Sequence, residues 1–128
     1  MRVLVACEFS QVVTKAFRDR GHEAYSCDVL PTEGNPKWHC QIDIRKFIGN
    51  PTFGWDLMIA HPPCTRLANS GVRWLEERYL WDELEKGANF FRILLEAPIE
   101  KICIENPIPH KYAVACIGRK YDQIIQPW

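Results

Sequence analysis

The chain has 128 residues, enough for one domain built around one hydrophobic core. Apolar residues make up 47% and charged residues 25%, ordinary globular values that exclude disordered and collagen-like chains. Lys and Arg balance Asp and Glu at 16 each, and no apolar run approaches the ~20 residues of a membrane span, so we expect a soluble, cytoplasmic protein without a membrane partner or a general affinity for polyanions.

The first third of the chain predicts a strand, a helix and a second strand. Residues 2–7 form a nearly continuous apolar run that is typical of a buried parallel strand. Ser10 is a predicted N-cap for a helix that runs to about Arg20, and residues 23–27 predict the second strand. Asp28 follows that strand directly. This order is typical of nucleotide-binding halves, in which an acid after the second strand holds ribose hydroxyls.

A loop and a short edge strand are predicted next. Residues 31–37 contain two prolines, a glycine and an asparagine, and form either a flap over the site or a plain surface excursion. Residues 38–44 predict a short edge strand that ends near Asp43, and residues 45–48 predict a short helix. Asp43 is therefore a candidate N-cap of that helix.

A proline-stiffened loop presents Cys64 after the fourth predicted strand. The apolar residues 57–60 predict a buried strand, and Pro62 and Pro63 then force an extended corner. A cysteine is often a small buried apolar residue, but Cys64 stands on a polar loop at the carboxyl end of a strand, where open α/β sheets bind ligands. Arg66 on the same loop favours the thiolate, which is the reactive form. We therefore predict a nucleophile at Cys64.

The remaining predicted elements are a long helix, a fifth strand and a short carboxyl-terminal helix. Apolar residues at steps of three and four predict a helix within residues 70–95, whose tryptophans serve either core packing or base stacking. Residues 101–104 predict a buried strand, which ends at Glu105. A short helix over 109–117 and a last strand over 121–126 follow.

Six cysteines are present without a C-x-x-C pair or a histidine at ligand spacing, so we predict no metal site. Cys7, Cys27 and Cys103 stand in or beside apolar runs, which predicts three reduced thiols in the strand core. The elements together predict a single α/β Rossmann-like domain over residues 1–128. It has three layers and a mostly parallel sheet in the order 3-2-1-4-5, with the last strand as a candidate sixth.

The two proline loops resemble motifs of the DNA cytosine carbon-5 methyltransferases. Pro62-Pro63-Cys64 with Gly71 is similar to the catalytic loop of that family, and Glu105-Asn106-Pro107 is similar to its Glu-Asn-Val motif. The run HPPCTRLANSGVRWL is most similar to phage-encoded methyltransferase-like proteins, which would place the chain in a host cytoplasm. His61 stands where the family commonly has a small or aromatic residue. The order of the first elements also resembles the opening of class I methyltransferases.

The resemblance implies a chemistry and a set of site residues. In the family a cysteine attacks carbon 6 of cytosine, a glutamate hydrogen-bonds the ring, and carbon 5 takes a methyl group from S-adenosylmethionine; this implies catalytic roles for Cys64 and Glu105. It also implies that Asp43 lies beside the adenine ring, as the alternative to its N-cap role. The implied cofactor-binding residues are Phe9, Ser10, Gln11, Asp28, Asp43 and Pro62. The implied substrate-binding residues are Pro63, Arg66, Asn69, Ser70, Asn106 and Pro107.

Two departures from the family affect these expectations. Gln11 stands where the cofactor loop normally has glycine, and its side chain would narrow the approach of a ligand to the backbone. The resemblance covers the amino-terminal part of a complete family member, without its target-recognition segment and closing strands. We therefore expect an unpaired far edge of the sheet, covered by the carboxyl-terminal segment or by a homodimer. The alternative function is a non-catalytic nucleotide-binding or cofactor-binding decoy protein of phage origin that keeps the methyltransferase fold. DNA and a small-molecule cofactor or nucleotide are the candidate partners.

Overall fold

The computed structural model describes residues 1–49, 53–63, 67, 80–107 and 109–125. Five strands form one sheet: β1 (Arg2–Ala6), β2 (Glu23–Asp28), β3 (His39–Gln41), β4 (Leu57–Ala60) and β5 (Lys101–Ile104). Three α-helices are described: α1 (Val12–Asp19), α2 (Trp81–Leu95) and α3 (Lys111–Ile117). Short 3₁₀ turns at Pro36–Trp38 and Ile44–Lys46 flank β3.

The sheet is parallel throughout, in the order β3-β2-β1-β4-β5, which confirms the predicted α/β Rossmann-like fold. β1 lies at its centre, and Val3 to Ala6 have no exposed surface at all. Val3 and Val5 pack with Val13 and Phe17 of α1 on one face of the sheet. The near-continuous apolar run of β1 is therefore explained by burial on both faces.

Residue contacts group into two compact units. Unit one contains Met1–Pro62 and Ile93–Glu105, and therefore the whole sheet and α1. Unit two contains Pro63–Arg92 and Asn106–Trp128, and it has a small core of its own. That core consists of Leu67, Leu84, Ala88 and Ala113, against which Leu80, Phe91, Cys116 and Ile117 pack. Within the described helices, none combines the length and the apolarity needed to cross a bilayer.

Several predicted boundaries differ from the observed ones. The N-cap of α1 is Gln11 in a left-handed conformation, so the prediction of Ser10 as N-cap is wrong. The edge strand β3 is shorter than predicted, because Pro36–Trp38 turn before it. Leu80 lies outside α2, which begins at Trp81. The predicted sixth strand is wrong for residues 121–125, which form no strand; residue 126 lies outside the described part.

The prediction that three cysteines lie in the strand core is only partly confirmed. Cys27 is fully buried and Cys7 is half-buried, whereas Cys103 is exposed. The reason is its position on β5, which lies at the end of the strand order, where Lys101 and Cys103 alternate with the half-buried Ile102 and Ile104. A run that reads as buried on both faces is thus covered on one face only.

Candidate functional site

A cavity of about 320 Å³ opens at the carboxyl end of β1, the edge at which open α/β sheets bind ligands. It lies within unit one. The loop after β1, the first turn of α1 and the residue after β4 line this cavity. The lining residues are Cys7, Glu8, Phe9, Ser10, Val12, Val13 and His61. Its volume is at the lower end of the range for small-molecule sites.

Glu8 closes the amino-terminal end of α1. Its carboxylate accepts hydrogen bonds from the backbone N–H of Val13 (2.9 Å) and of Thr14 (3.1 Å), and from the Thr14 hydroxyl (2.8 Å). The residue is almost fully buried. Because the first helical N–H groups carry the positive end of the helix dipole, the carboxylate is stabilised there. The N–H groups of Val13 and Thr14 are consequently unavailable to an anionic ligand, and a negative carboxylate at this position repels one.

Gln11 holds the left-handed conformation that glycine would normally supply, with a φ of 62°. Its side chain is almost fully buried, and Gln11 is not among the residues that line the cavity. The Nε2 group donates to the Ser26 hydroxyl (3.0 Å) and the Asn35 carbonyl (2.9 Å), while Oε1 accepts from the Asn35 N–H (2.6 Å). The expectation that this side chain narrows the approach of a ligand is therefore wrong, because these hydrogen bonds hold it elsewhere.

The loop over residues 31–37 is hydrogen-bonded to the residues that precede α1. The carbonyl of Phe9 accepts hydrogen bonds from the Glu33 N–H (2.9 Å) and the Thr32 hydroxyl (2.7 Å). Asn35 is held by Gln11, and its own carboxamide caps the following 3₁₀ turn. The loop is thus tied to the start of α1 at two separate points.

Cys7 lines the cavity, but its thiol is a poor nucleophile. Burial, with smaller contributions from the negative charges of Asp28 and Asp43, raises its pKa to about 12. Burial is also the main cause that raises the pKa of the Cys27 thiol to about 12. Both groups are protonated at neutral pH, so neither supplies the thiolate that covalent catalysis needs.

The predicted cofactor acids are both engaged in local contacts. Asp28 accepts a hydrogen bond from the Leu30 N–H (2.9 Å), as an acid in a turn does. Asp43 caps the 3₁₀ turn at Ile44–Lys46 and forms an ion pair with Arg45 (2.6 Å), so the N-cap alternative is confirmed. Hydrogen bonds from Arg45 lower the pKa of Asp43 to about 2.

Of the six predicted cofactor residues, Phe9 and Ser10 line the cavity, and Gln11, Asp28, Asp43 and Pro62 do not. Phe9 is partly exposed, and the Ser10 hydroxyl accepts a long contact from the Val12 N–H (3.4 Å). Pro62 is buried. The structure therefore brings two of the six to the cavity.

His61 and Glu105 lie side by side at the ends of β4 and β5. The strands are in register at Ala60 and Ile104, and the Glu105 N–H donates to the Ala60 carbonyl (2.9 Å). His61 Nδ1 lies 3.4 Å from Glu105 Oε2. The Glu105 side chain is 62% exposed, whereas His61 Nε2 is buried and has no hydrogen-bond partner among the described residues. His61 and Glu105 therefore keep hydrogen-bonding capacity that no described residue uses.

The remaining predicted site residues either lie outside the described residues or belong to unit two. Cys64, Arg66, Asn69 and Ser70 lie outside the described residues. Pro63, Asn106 and Pro107 belong to unit two; Pro63 and Pro107 are exposed and Asn106 is half-buried. Across the described ranges, no group of three or more His, Cys, Asp and Glu side chains is arranged to hold a metal ion.

Sequence reasoning missed Glu8 and the contact of His61 with Glu105. A usable signal for Glu8 is the first turn of α1, which contains no acidic residue, although a glutamate precedes the helix by a few residues. For His61 the signal is its place directly after one parallel strand, with Glu105 directly after the neighbouring one. Comparison of the chain with protein-family models, with curated proteins and with solved structures found no match.

Proposed function

We propose that this chain is a DNA cytosine carbon-5 methyltransferase-like protein that uses S-adenosylmethionine, with Cys64 as nucleophile and Glu105 as acid. The observation that carries the proposal is the corner at the carboxyl edge of the sheet. It combines a ligand-sized cavity beside β1 with a carboxyl and an imidazole at the neighbouring strand ends. Cys64 follows His61 by three residues in the sequence.

The charge at the cavity favours S-adenosylmethionine over phosphate-bearing cofactors. The Glu8 carboxylate occupies the start of α1, where nucleotide-binding proteins normally hold a phosphate. A phosphate there would meet a buried negative charge, whereas the sulfonium and ammonium groups of S-adenosylmethionine are positive. Phe9 and Ser10, which line the cavity, would contact the cofactor.

The proposed reaction divides its work between a sulfur and a carboxyl group. The Cys64 thiolate adds to carbon 6 of cytosine, and Glu105 in its acid form donates a proton to the ring nitrogen, so that the charge pushed into the ring is neutralised. S-adenosylmethionine supplies the methyl group for carbon 5. Water then takes the carbon 5 proton, the Cys64 sulfur leaves as thiolate, and the proton on the ring nitrogen returns to Glu105, which restores the aromatic ring. His61 would orient Glu105 through its Nδ1.

Transfer of labelled methyl from S-adenosylmethionine to cytosine-containing DNA tests the proposal. We expect incorporation by the native chain, none by Cys64→Ser, and native rates for Cys103→Ser, which removes an exposed thiol on β5. A fully active Cys64→Ala variant would rule out the covalent mechanism.

A second candidate is a non-catalytic cofactor-binding or nucleotide-binding decoy. It is favoured by the cavity itself, because the lining residue Cys7 has a thiol pKa of about 12 and supplies no nucleophile. Calorimetry with S-adenosylmethionine, S-adenosylhomocysteine, adenosine and adenosine monophosphate separates the candidates. Binding of the sulfonium cofactor together with turnover supports the enzyme. Tight binding without turnover supports the decoy, and preference for the monophosphate contradicts the argument from Glu8.

Partners and location follow as parts of the same proposal. DNA is the substrate partner of the methyltransferase, and the absence of net charge means that binding would depend on local positive groups. The setting we propose is cytoplasmic, within a host cell if the gene is phage-encoded. We also propose a homodimer through the sheet edge.

A further inference from the structure

β5 is the last described strand at one edge of the sheet. β5 pairs with β4 on one side, and no described strand pairs with its other side. Three alternate residues of this segment are exposed on one face: Lys101, Cys103 and Glu105. Lys101 forms no ion pair with any described residue. An exposed edge with free backbone groups is a template for pairing with another strand.

The hydrogen bonds to β4 determine which backbone groups of β5 remain available. The Glu105 N–H donates to β4, and along a strand the N–H and C=O groups of successive residues point to opposite sides. The backbone N–H and C=O groups of Cys103 therefore also point to β4, whereas those of Ile102 and Ile104 point to the unpaired side of β5. An antiparallel partner must bond to these two residues.

A second copy of β5 can satisfy this requirement about a two-fold axis through Ile102, Cys103 or Ile104. An axis through Ile102 sets Lys101 opposite Cys103 of the other copy, and an axis through Ile104 sets Glu105 opposite Cys103. The axis through Cys103 pairs Ile102 with Ile104 in both directions and sets Lys101 opposite Glu105, twice. Directly opposed opposite charges stabilise a strand pair, and a charge that faces a neutral residue does not.

We propose that β5 pairs antiparallel with β5 of a second copy of this chain, about a two-fold axis at Cys103. The two sheets then form one continuous sheet with two Lys101–Glu105 pairs across the junction. The strand is short, so the interface is small and association is expected in the micromolar range. The inference concerns only the edge of unit one and does not require methyl transfer, although Glu105 takes part in both proposals.

The proposed register brings the two Cys103 residues together. They form a pair without mutual backbone hydrogen bonds, for which the Cα atoms lie about 4.5 Å apart. A disulfide requires Cα atoms about 4.4 to 6.8 Å apart. Oxidised glutathione can therefore link the copies: one Cys103 thiolate displaces glutathione from the reagent, and the second displaces glutathione from the first.

A charge swap tests the register. Light scattering over a concentration series should show that the native chain approaches twice the monomer mass. Lys101→Glu should weaken association roughly tenfold or more, since two attractive pairs become repulsive. The double variant Lys101→Glu with Glu105→Lys should restore it. A native chain that stays monomeric, a Lys101→Glu variant that associates like the native chain, or a folded double variant that stays monomeric would each overturn the proposal.

Cross-linking gives a second measurement that changes no charge. Treatment of the native chain with oxidised glutathione should give a covalent dimer whose peptide map contains Cys103 joined to Cys103. Cys103→Ser should lose that product and keep reversible association. A dimer without a Cys103–Cys103 link would show a different register or face, and would overturn the proposal. S-adenosylmethionine binding by the monomeric Lys101→Glu variant tests the proposed function separately.

Discussion

Two corners of the sheet differ in how many hydrogen bonds their polar side chains make. The first lies between β1 and α1 and contains Glu8 and Gln11, and the second lies at the ends of β4 and β5 and contains His61 and Glu105. At the first, the buried side chains of Glu8 and Gln11 each make three hydrogen bonds to their surroundings. At the second, His61 and Glu105 share one contact of 3.4 Å, and Glu105 is mostly exposed. Among the described residues, the polar groups of the first corner are thus fully hydrogen-bonded within the chain, and those of the second are not.

This difference indicates that the first corner mainly stabilises the fold and the cavity, and that the second corner supplies groups for a reaction. Polar groups that are already bonded stabilise the fold and define a cavity, but reacting through them would break those bonds. Groups with unused hydrogen-bonding capacity are free to contact a substrate. We therefore expect substitutions at the first corner to change mainly the free energy of unfolding, and substitutions at the second to change mainly activity.

The largest expected effect is on catalysis, at Glu105. Glu105→Gln keeps the shape but removes the proton donor, so methyl transfer should fall by about 10² to 10⁴-fold. The side chain is 62% exposed, and the melting temperature should therefore stay native. Glu100→Gln, another exposed glutamate beside β5, is the matched control and should keep full activity. An active Glu105→Gln variant would remove Glu105 from the mechanism.

Glu8→Ala should produce the largest loss of stability. It leaves the N–H groups of Val13 and Thr14 without their acceptor and removes a favourable charge from the start of α1, which we expect to cost about 3 kcal/mol. Urea unfolding followed by circular dichroism measures this change. Glu33→Ala, an exposed glutamate, should unfold like the native chain. A native midpoint for Glu8→Ala would contradict its capping role.

Two substitutions at Gln11 separate hydrogen bonding from backbone conformation. Gln11→Ala loses the bonds to Ser26 and Asn35 and should destabilise the fold by about 2 kcal/mol. Gln11→Gly loses the same bonds but relieves the left-handed conformation, which costs other residues roughly 1 kcal/mol or more, so its loss should be about half as large. Equal losses in urea unfolding would show that the conformation carries no strain.

The smallest expected effect is the pH dependence contributed by Asp43. Arg45 holds the pKa of this carboxyl at about 2 in the folded chain, below the value of about 4 in an unfolded one. Its stabilisation is therefore present above about pH 4 and is lost as the pH falls towards 2. Because the Arg45 side chain is mostly exposed, we expect no more than about 1 kcal/mol.

Unfolding free energies of the native chain and of Asp43→Asn, measured from pH 5 to pH 2, test this sign. The native chain should lose more stability than the variant over that interval. If the difference in unfolding free energy between the native chain and the variant stays constant with pH, the lowered pKa of Asp43 is contradicted.

The strands β1, β4 and β5 could be predicted from the sequence, because their apolar runs and the turns between elements follow from burial and backbone preference. The strand order followed from the alternation of strands and helices, which is typical of Rossmann-like folds. The Asp43 cap also follows from local chemistry, since an acid two residues before the Arg45 N–H is a common cap. These features depend on neighbours in sequence. The strand order and the Asp43 cap were confirmed, whereas the Ser10 cap and the sixth strand, which rested on the same kind of local signal, were wrong.

Features that depend on distant neighbours could not be predicted. The cap of α1 comes from Glu8, which reaches past Ser10 because Gln11 turns left-handed, and Gln11 does so because its side chain is held by Ser26 and Asn35. The exposure of Cys103 depends on which strand lies at the sheet edge, and the same apolar run would be buried in a central strand.

The space around the Gln11 carboxamide has a consequence for the tolerance of this loop to mutation. A side chain at Gly34 would collide with Gln11 Oε1, which cannot move aside without releasing Asn35. Any larger residue at position 34 should therefore be accepted only together with a shorter one at position 11. In a library that varies both positions, we expect the residues recovered at positions 11 and 34 to covary. Varying either position alone would recover fewer residue types than varying both.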